Sequence, residues 1–174
     1  MISNNFLFFW GHTPKDKNRV DKSCLSQWYE AAFEESGLKF HTSEHWMMYQ
    51  KAILFDDIET AKQIITAKTP KEVKALGRKI ESFDSNIWDE KKFTIVFHGN
   101  YLKFSQNTDL KEYLLSTSPL ELAEASPYDK IWGIGLKADD PRARYKNTWQ
   151  GENLLGQALV QVRTSIQREQ VSEK

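Results

Sequence analysis

The sequence predicts a helix-dominated α+β fold, a single domain with a few short strands. Three observations predict it. Between residues 42 and 72 three helix-start signals follow one another, with apolar residues at three- and four-residue steps behind them. After residue 120 that period gives way to a short alternating stretch and then a glycine-rich apolar one. At 174 residues one domain is the default, and 40% hydrophobic with 28% charged residues is a globular composition rather than a disordered one. The domain is read as residues 1–166, with 167–174 as a solvated tail.

In chain order, residues 1–10 (MISNNFLFFW) read as a buried strand or arm, and Gly11 to Asp21 as a polar, basic loop. Cys24 to Phe33 places Trp28, Tyr29 and Phe33 at roughly helical spacing. Glu34-Glu35-Ser36-Gly37 is a turn, and Leu38 to Phe40 is extended. Thr42 or Ser43 can cap a helix running to about Leu54. Asp56 or Asp57 can cap a second, with Ile58, Ala61, Ile64 and Ile65 inward. Thr69-Pro70-Lys71-Glu72 is a capping box with proline at the first helical position, and Val73, Leu76 and Ile80 share a face behind it. Asp84 to Asn86 reads as a turn before the longest helix, where Phe93, Val96, Phe97, Tyr101 and Phe104 keep the helical period. Asp109 to Leu115 is a short helix. Leu120 to Ala125 and Ile131 to Leu136 read as short strands or extended pieces, and Asp139 to Trp149 as a basic loop. Asn153 can cap a last helix with Leu155, Ala158, Leu159, Val162 and Ile166 inward.

Lysine plus arginine and aspartate plus glutamate both number 24, so the formal charge is zero. That excludes a general nucleic-acid or membrane-surface binder, which needs a basic field, but not a small phosphorylated ligand held by a few local cations. No apolar run approaches the roughly 18 residues of a membrane span. The one cysteine, Cys24, cannot form an intramolecular disulfide and reads as a core thiol. With no basic leader before the apolar N-terminus, the expected compartment is the cytoplasm. The histidines have no metal-ligand spacing, so no metal site is expected. Gly133-x-Gly135 lacks the rest of a dinucleotide fingerprint. The unusual feature is aromatic content, 13% with six tryptophans, which either fills the core or lines a site that stacks on a planar ligand.

Two charge placements break the apolar pattern. Glu44, Met47, Met48 and Lys51 fall at i, i+3, i+4 and i+7 of one helix and share a face. Either this face is a helix edge with solvated ends, or a carboxylate and an amine flank a methionine floor at the rim of a pocket. Leu120, Leu122 and Glu124 point the same way on a strand, so Glu124 extends an apolar face. Ser126-Pro127-Tyr128-Asp129 then turns the chain into Ile131-Trp132-Gly133-Ile134-Gly135. That segment is either a tight turn with a core tryptophan or a close backbone approach to a ligand that stacks on the indole. Carboxylates such as Glu44, Glu124 and Asp129 beside an aromatic pocket suit glycosidic chemistry, which builds positive charge on a sugar and needs an acid for the leaving group. Arg142, Arg144 and Lys146 form either a solvated turn or a phosphate clamp.

Taken together, these segments resemble the NADAR (YbiA-like) family of N-glycosidases. The matching pieces are Thr42-Ser43-Glu44-His45 continuing to Lys51-Ala52, Thr69-Pro70, Lys74-x-Leu76-Gly77-Arg78 and Trp88-Asp89. They continue with Lys103-Phe104-Ser105-Gln106-Asn107, Leu114-Leu115-Ser116-Thr117, Glu124 to Asp129, Ile131 to Gly135, Trp149 to Gly156 and Val162-Arg163. They run in order from about Phe8 to Ile166; each is modest alone and the set is specific.

The resemblance implies hydrolysis of the bond between C1 of a (phospho)ribose and a nitrogen base. The substrate it implies first is a phosphoribosylamino-pyrimidine intermediate of riboflavin synthesis. ADP-ribosylated guanine in nucleic acid is the alternative, and a non-catalytic ADP-ribose or nucleotide reader is the rival of another class. It implies Glu44, Lys51, Glu124 and Asp129 as catalytic residues, Trp88, Trp132 and Asn153 as substrate-binding residues, and no metal or organic cofactor. Gly133, from the glycine-rich segment, and Arg144, from the basic loop, complete the expected substrate-binding set. No membrane and no stable protein partner are expected. Where the family motif often has Gly-Gln-Asn, this chain has Gly151-Glu152-Asn153, and the added charge leaves Glu152 outside the expected site.

Overall fold

The computed structural model describes residues 5–172; residues 1–4 of the expected arm and 173–174 of the expected tail lie outside them. The chain forms two compact units, one spanning Gln27–Asn107 and the other built from the segments up to Ser26 and from Thr108 onward. Among the described residues six α-helices and four short strands make the fold helix-dominated α+β.

The 27–107 unit begins with an antiparallel hairpin. Its strands β2 (Phe33–Glu35) and β3 (Leu38–Phe40) pair Phe33 with Phe40. Helix α1 (Ser43–Leu54) follows, and Thr42 caps it by accepting the His45 N–H at 3.2 Å. Helix α2 (Ile58–Thr66) is capped by Asp57, and α3 (Pro70–Gly77) by Thr69. The Glu72 carboxylate reaches back to the Lys68 N–H, one residue beyond the cap. Helix α4 (Ser85–Gln106) starts directly after its cap Asp84, so the expected turn is already helix at Ser85. Helices α2, α3 and α4 all pack on α1. Phe33, Phe40, Trp46 and Leu102 form the core there, and Trp46 Nε1 donates to Ile95 O at 2.8 Å.

In the flanking unit β1 (Phe6–Phe9) pairs in parallel with β4 (Glu121–Glu124), in a register that sets Phe9 opposite Glu124. Helix α5 (Thr108–Ser116) precedes β4, and α6 (Leu154–Ser172) packs against it. Ala123, Ala125, Ile134, Leu136 and Ala143 are buried together under Phe8 and Trp149. No helix among the described residues is long and apolar enough to cross a membrane. Cys24 is buried and not in a disulfide.

Four expectations are corrected. Cys24 to Phe33 is not a helix: a short 3₁₀ turn covers Lys22–Leu25, and extended Ser26 ends it. Beyond it Ala31 N–H pairs with His41 O, so the segment's backbone bonds go to a neighbouring strand rather than up its own helix. Ile131 to Leu136 forms no strand, because its polar backbone groups pair with three different segments: Ile134 N–H with Glu124 O, Ile134 O with Gln150 N–H, and Gly133 O with Asn153 N–H. Ile58 lies in the first turn of α2 and is 47% exposed instead of inward. Gln167 to Ser172, expected as a solvated tail beyond the last helix, is solvated but helical, the end of α6.

Candidate active site

In the 27–107 unit the expected residues centre on α1. The Thr42 cap sets the phase of the helix, and Glu44 falls in its first turn with its backbone N–H donated to Gln27 O at 3.0 Å. Glu44 is 5% exposed, and Met47 and Met48 are buried beside it. The face is therefore covered, and of the two alternatives left open by the spacing the solvated helix edge is excluded. Gln27 lines it further: its Nε2 reaches Met47 Sδ at 4.0 Å and its Oε1 accepts from Asn100 Nδ2 at 2.8 Å.

Lys51, two turns along from Glu44, is half-buried. Its Nζ donates to Gly77 O at 3.3 Å and lies 4.3 Å from the centroid of the Phe83 ring and 5.4 Å from that of Trp88. Burial lowers its pKa from the usual 10.5, and the Glu44 carboxylate opposes that shift. The carbonyl it meets is held close by the absence of a side chain at Gly77. A Cβ there would run into the Met48 thioether, so glycine lets the last turn of α3 settle against α1 with Met48 in its present rotamer.

In the flanking unit Glu124 ends β4. Its N–H is held by Asn153 Oδ1 at 3.0 Å and its carbonyl accepts from Ile134 N–H at 2.8 Å. Asp129 Oδ1 accepts from the N–H groups of Ile131 and Trp132, at 2.9 and 2.8 Å, so the carboxylate organises the turn that carries the half-buried indole. Ser126 Oγ accepts from the N–H groups of Tyr128 and Asp129 on the other side of that turn.

At Gly133 the space a Cβ would take is filled by the chain itself, with Glu124 O at 2.8 Å, Asp129 O at 3.0 Å and Ser126 Cβ at 3.2 Å. Asn153 does not cap α6 with its side chain and has a positive φ of 54°. Both ends of its amide are committed to β4, Oδ1 to Glu124 and Nδ2 to Leu122 O at 2.9 Å, so it positions Glu124. In the basic loop Arg142 is engaged by Asp140 and Lys146 by Glu121. Arg144 is exposed and has no ion pair among the described residues, which leaves it as the loop's available cation.

The sequence pattern missed Phe83, Gly77 and Gln27. Phe83 sits in a loop with no period to mark it, and Gly77 stands out only as the glycine ending a helix. The histidine of α1 is structural: His45 Nδ1 meets the Thr42 hydroxyl at 2.7 Å and Nε2 meets Ala67 O at 3.0 Å. Among the described residues no group of three or more His, Cys, Asp or Glu side chains is arranged to hold a metal ion. The chemistry on offer in the 27–107 unit is a buried carboxylate and an amine whose neutral form is favoured by burial, the amine set among aromatic rings.

Comparison with known proteins gives this arrangement a context. The profile described as the NADAR domain matches residues 8–167. The N-glycosidase R617 of Acanthamoeba polyphaga mimivirus is 41% identical over 173 residues, which cover 97% of this chain and 100% of that protein. The chloroplastic riboflavin biosynthesis protein PYRR of Zea mays is 30% identical over 132 residues, 72% of this chain but 19% of that protein. Among solved structures, the NMR structure of the E. coli protein YbiA aligns with a TM-score of 0.77 at 22% identity, covering 98% of this chain and 90% of that one. That likeness is one of fold.

Proposed function

We propose that this chain, which belongs to the NADAR domain family, is an N-glycosidase that hydrolyses the bond between C1 of a ribose or phosphoribose and a nitrogen base. The observation that carries the reading is Lys51: an amine with a lowered pKa, on the same buried helix face as the Glu44 carboxylate and bordered by Phe83 and Trp88. The mimivirus relative, matched along its whole length, is named an N-glycosidase.

In the proposed reaction Lys51 acts as the nucleophile. Its neutral Nζ attacks C1 of the ring-opened sugar, a C–N bond forms, and the bond from C1 to the base breaks. The base leaves with a proton. Water then adds to C1 of the resulting Schiff base, releasing the sugar and restoring the amine, so that one water is consumed. Glu44 carries the proton transfer and offsets the positive charge that develops at C1. Glu124 is assigned to the same reaction on chemical grounds, to orient water or a sugar hydroxyl. Trp88, beside Lys51, is assigned to stack on the base. The roles expected of Asp129, in holding the Trp132 turn, of Trp132, in stacking, and of Arg144, in meeting a phosphate, rest on residue chemistry alone.

For the substrate we favour a phosphoribosylamino-pyrimidine. The balanced net charge supports a small substrate over long nucleic acid, and the maize relative is named for riboflavin biosynthesis. Mass spectrometry of products tests this. Incubation with the phosphoribosylamino-pyrimidine is expected to release ribose 5-phosphate. Release of ADP-ribose from a guanine-ADP-ribosylated oligonucleotide, with none from the pyrimidine, would reassign the substrate. Binding of ADP-ribose with no turnover of either would replace the enzyme by a reader.

A further inference from the structure

The residue nearest the Lys51 ammonium through an aromatic ring is one that no sequence pattern picks out. Phe83 lies in the loop between α3 and α4, is 46% exposed, and puts its ring centroid 4.3 Å from Lys51 Nζ. An apolar side chain this exposed recovers little of the burial energy that would explain it as core. Its placement is nevertheless well determined. The ring meets Phe55, just past the end of α1, edge-on at 5.3 Å and 67°. The residue before it, Ser82, has a positive φ of 55°, a conformation that L-residues adopt at a cost. The same loop is tied down at Glu81, whose N–H donates to Asp57 Oδ2 at 3.0 Å, while Asp57 Oδ1 caps α2 by accepting from Thr60 N–H at 3.0 Å. One carboxylate thus joins the start of α2 to the loop that delivers Phe83.

Resting on the assignment of Lys51 as the reactive amine, we propose that Phe83 is a positioning residue for it. Its ring, with Trp88 and the Gly77 carbonyl, forms a cradle that fixes Nζ at the end of a flexible four-carbon stem. A ring face attracts an ammonium, and it also restricts the neutral amine by contact, so the cradle acts in both protonation states. Without it the stem samples several rotamers, and the amine meets C1 in the reactive geometry less often.

Three variants test this: Phe83→Leu, which keeps an apolar side chain against Phe55 but removes the ring; Phe83→Tyr, which keeps the ring; and Lys51→Ala. Two measurements are made on each. One is steady-state turnover of the phosphoribosylamino-pyrimidine. The other, independent of substrate, is the NMR signal of Lys51 after reductive ¹³C-methylation, which a nearby ring face shifts upfield. Phe83→Leu is expected to lower kcat about tenfold with KM unchanged, because the neutral amine meets C1 in the reactive geometry less often. It is also expected to move the Lys51 signal downfield. Phe83→Tyr is expected to keep kcat within about twofold and hold the signal in place. Unchanged kcat in Phe83→Leu, an equal fall in Phe83→Leu and Phe83→Tyr, or an unmoved signal in Phe83→Leu each overturns the proposal. Full turnover in Lys51→Ala overturns instead the reading on which it rests, and the NMR signal in the other variants still reports whether Phe83 holds the amine.

Discussion

Asn153 Oδ1 accepts the Glu124 N–H at 3.0 Å while its Nδ2 donates to Leu122 O at 2.9 Å, so one buried side chain brackets the end of β4. It does so from a positive φ of 54°. The bracket fixes the strand whose last residue is a proposed catalytic carboxylate.

Asn153→Ala removes both bonds and keeps the unfavourable φ. It is expected to cost about 2–4 kcal/mol, from two buried hydrogen bonds and left-handed strain. Asn153→Gly removes the bonds but relieves the strain, and is expected to be about 1 kcal/mol less damaging. Urea denaturation measures both. Turnover at a temperature where each variant is folded is expected to fall in kcat.

Gly77→Ala places a methyl where Met48 Sδ sits, 2.1 Å away. Overpacking of this kind costs about 1–3 kcal/mol. Met48 is the atom donor to the clash, so Met48→Ala combined with Gly77→Ala is expected to destabilise by less than the sum of the single variants. A double-mutant cycle reads that coupling, and additive costs would show that Gly77 is needed for another reason.

The pH dependence of kcat/KM distinguishes a nucleophilic Lys51 from a lysine that holds the substrate as a cation. Burial lowers its pKa from 10.5. A nucleophile must be neutral, so activity is expected to rise with pH along a limb whose midpoint lies below 10.5. A cationic clamp would give the opposite, a loss of activity over that same limb. Removing the opposing influence of Glu44, by Glu44→Gln, is expected to move the midpoint lower still.

His45 predicts the acid side of stability. Burial is the largest influence on its pKa and pushes it below 6.5. Between that lowered value and 6.5 the unfolded chain binds more protons than the folded one. The contribution is therefore complete above about 6.5 and lost as pH falls towards the folded value. His45→Gln keeps a donor for Ala67 O and has nothing to titrate. The difference in urea midpoint between the parent and this variant is expected to shrink as pH falls from 7.5 to 5.5.

What could be read from the chain beforehand follows the range of the interactions. Thr42, Asp57 and Thr69 were legible as caps because a cap needs only the next three residues. The face shared by Glu44, Met47, Met48 and Lys51 was legible for the same reason, since helical geometry alone brings them together. The parallel pairing of Phe6–Phe9 with Glu121–Glu124 joins segments more than a hundred residues apart, and neither carries a mark of the other. Ile131 to Leu136 has strand composition, but the bonds that decide its path lead to Glu124, Gln150 and Asn153. Gly133 illustrates the limit for sites. A glycine beside a tryptophan signals a close approach, and only the structure shows that what approaches is the chain's own carbonyls. Phe83 was invisible because its role comes from a loop anchored by Asp57 and not from any spacing.

The most direct test of the central claim is a trapping experiment on Lys51. The protein is incubated with the phosphoribosylamino-pyrimidine and sodium borohydride, digested, and mapped by mass spectrometry. A Schiff-base nucleophile predicts a reduced ribose 5-phosphate adduct on Lys51, absent in Lys51→Ala, with loss of turnover in that variant. Release of ribose 5-phosphate with no adduct, and turnover that survives Lys51→Ala, would contradict the account.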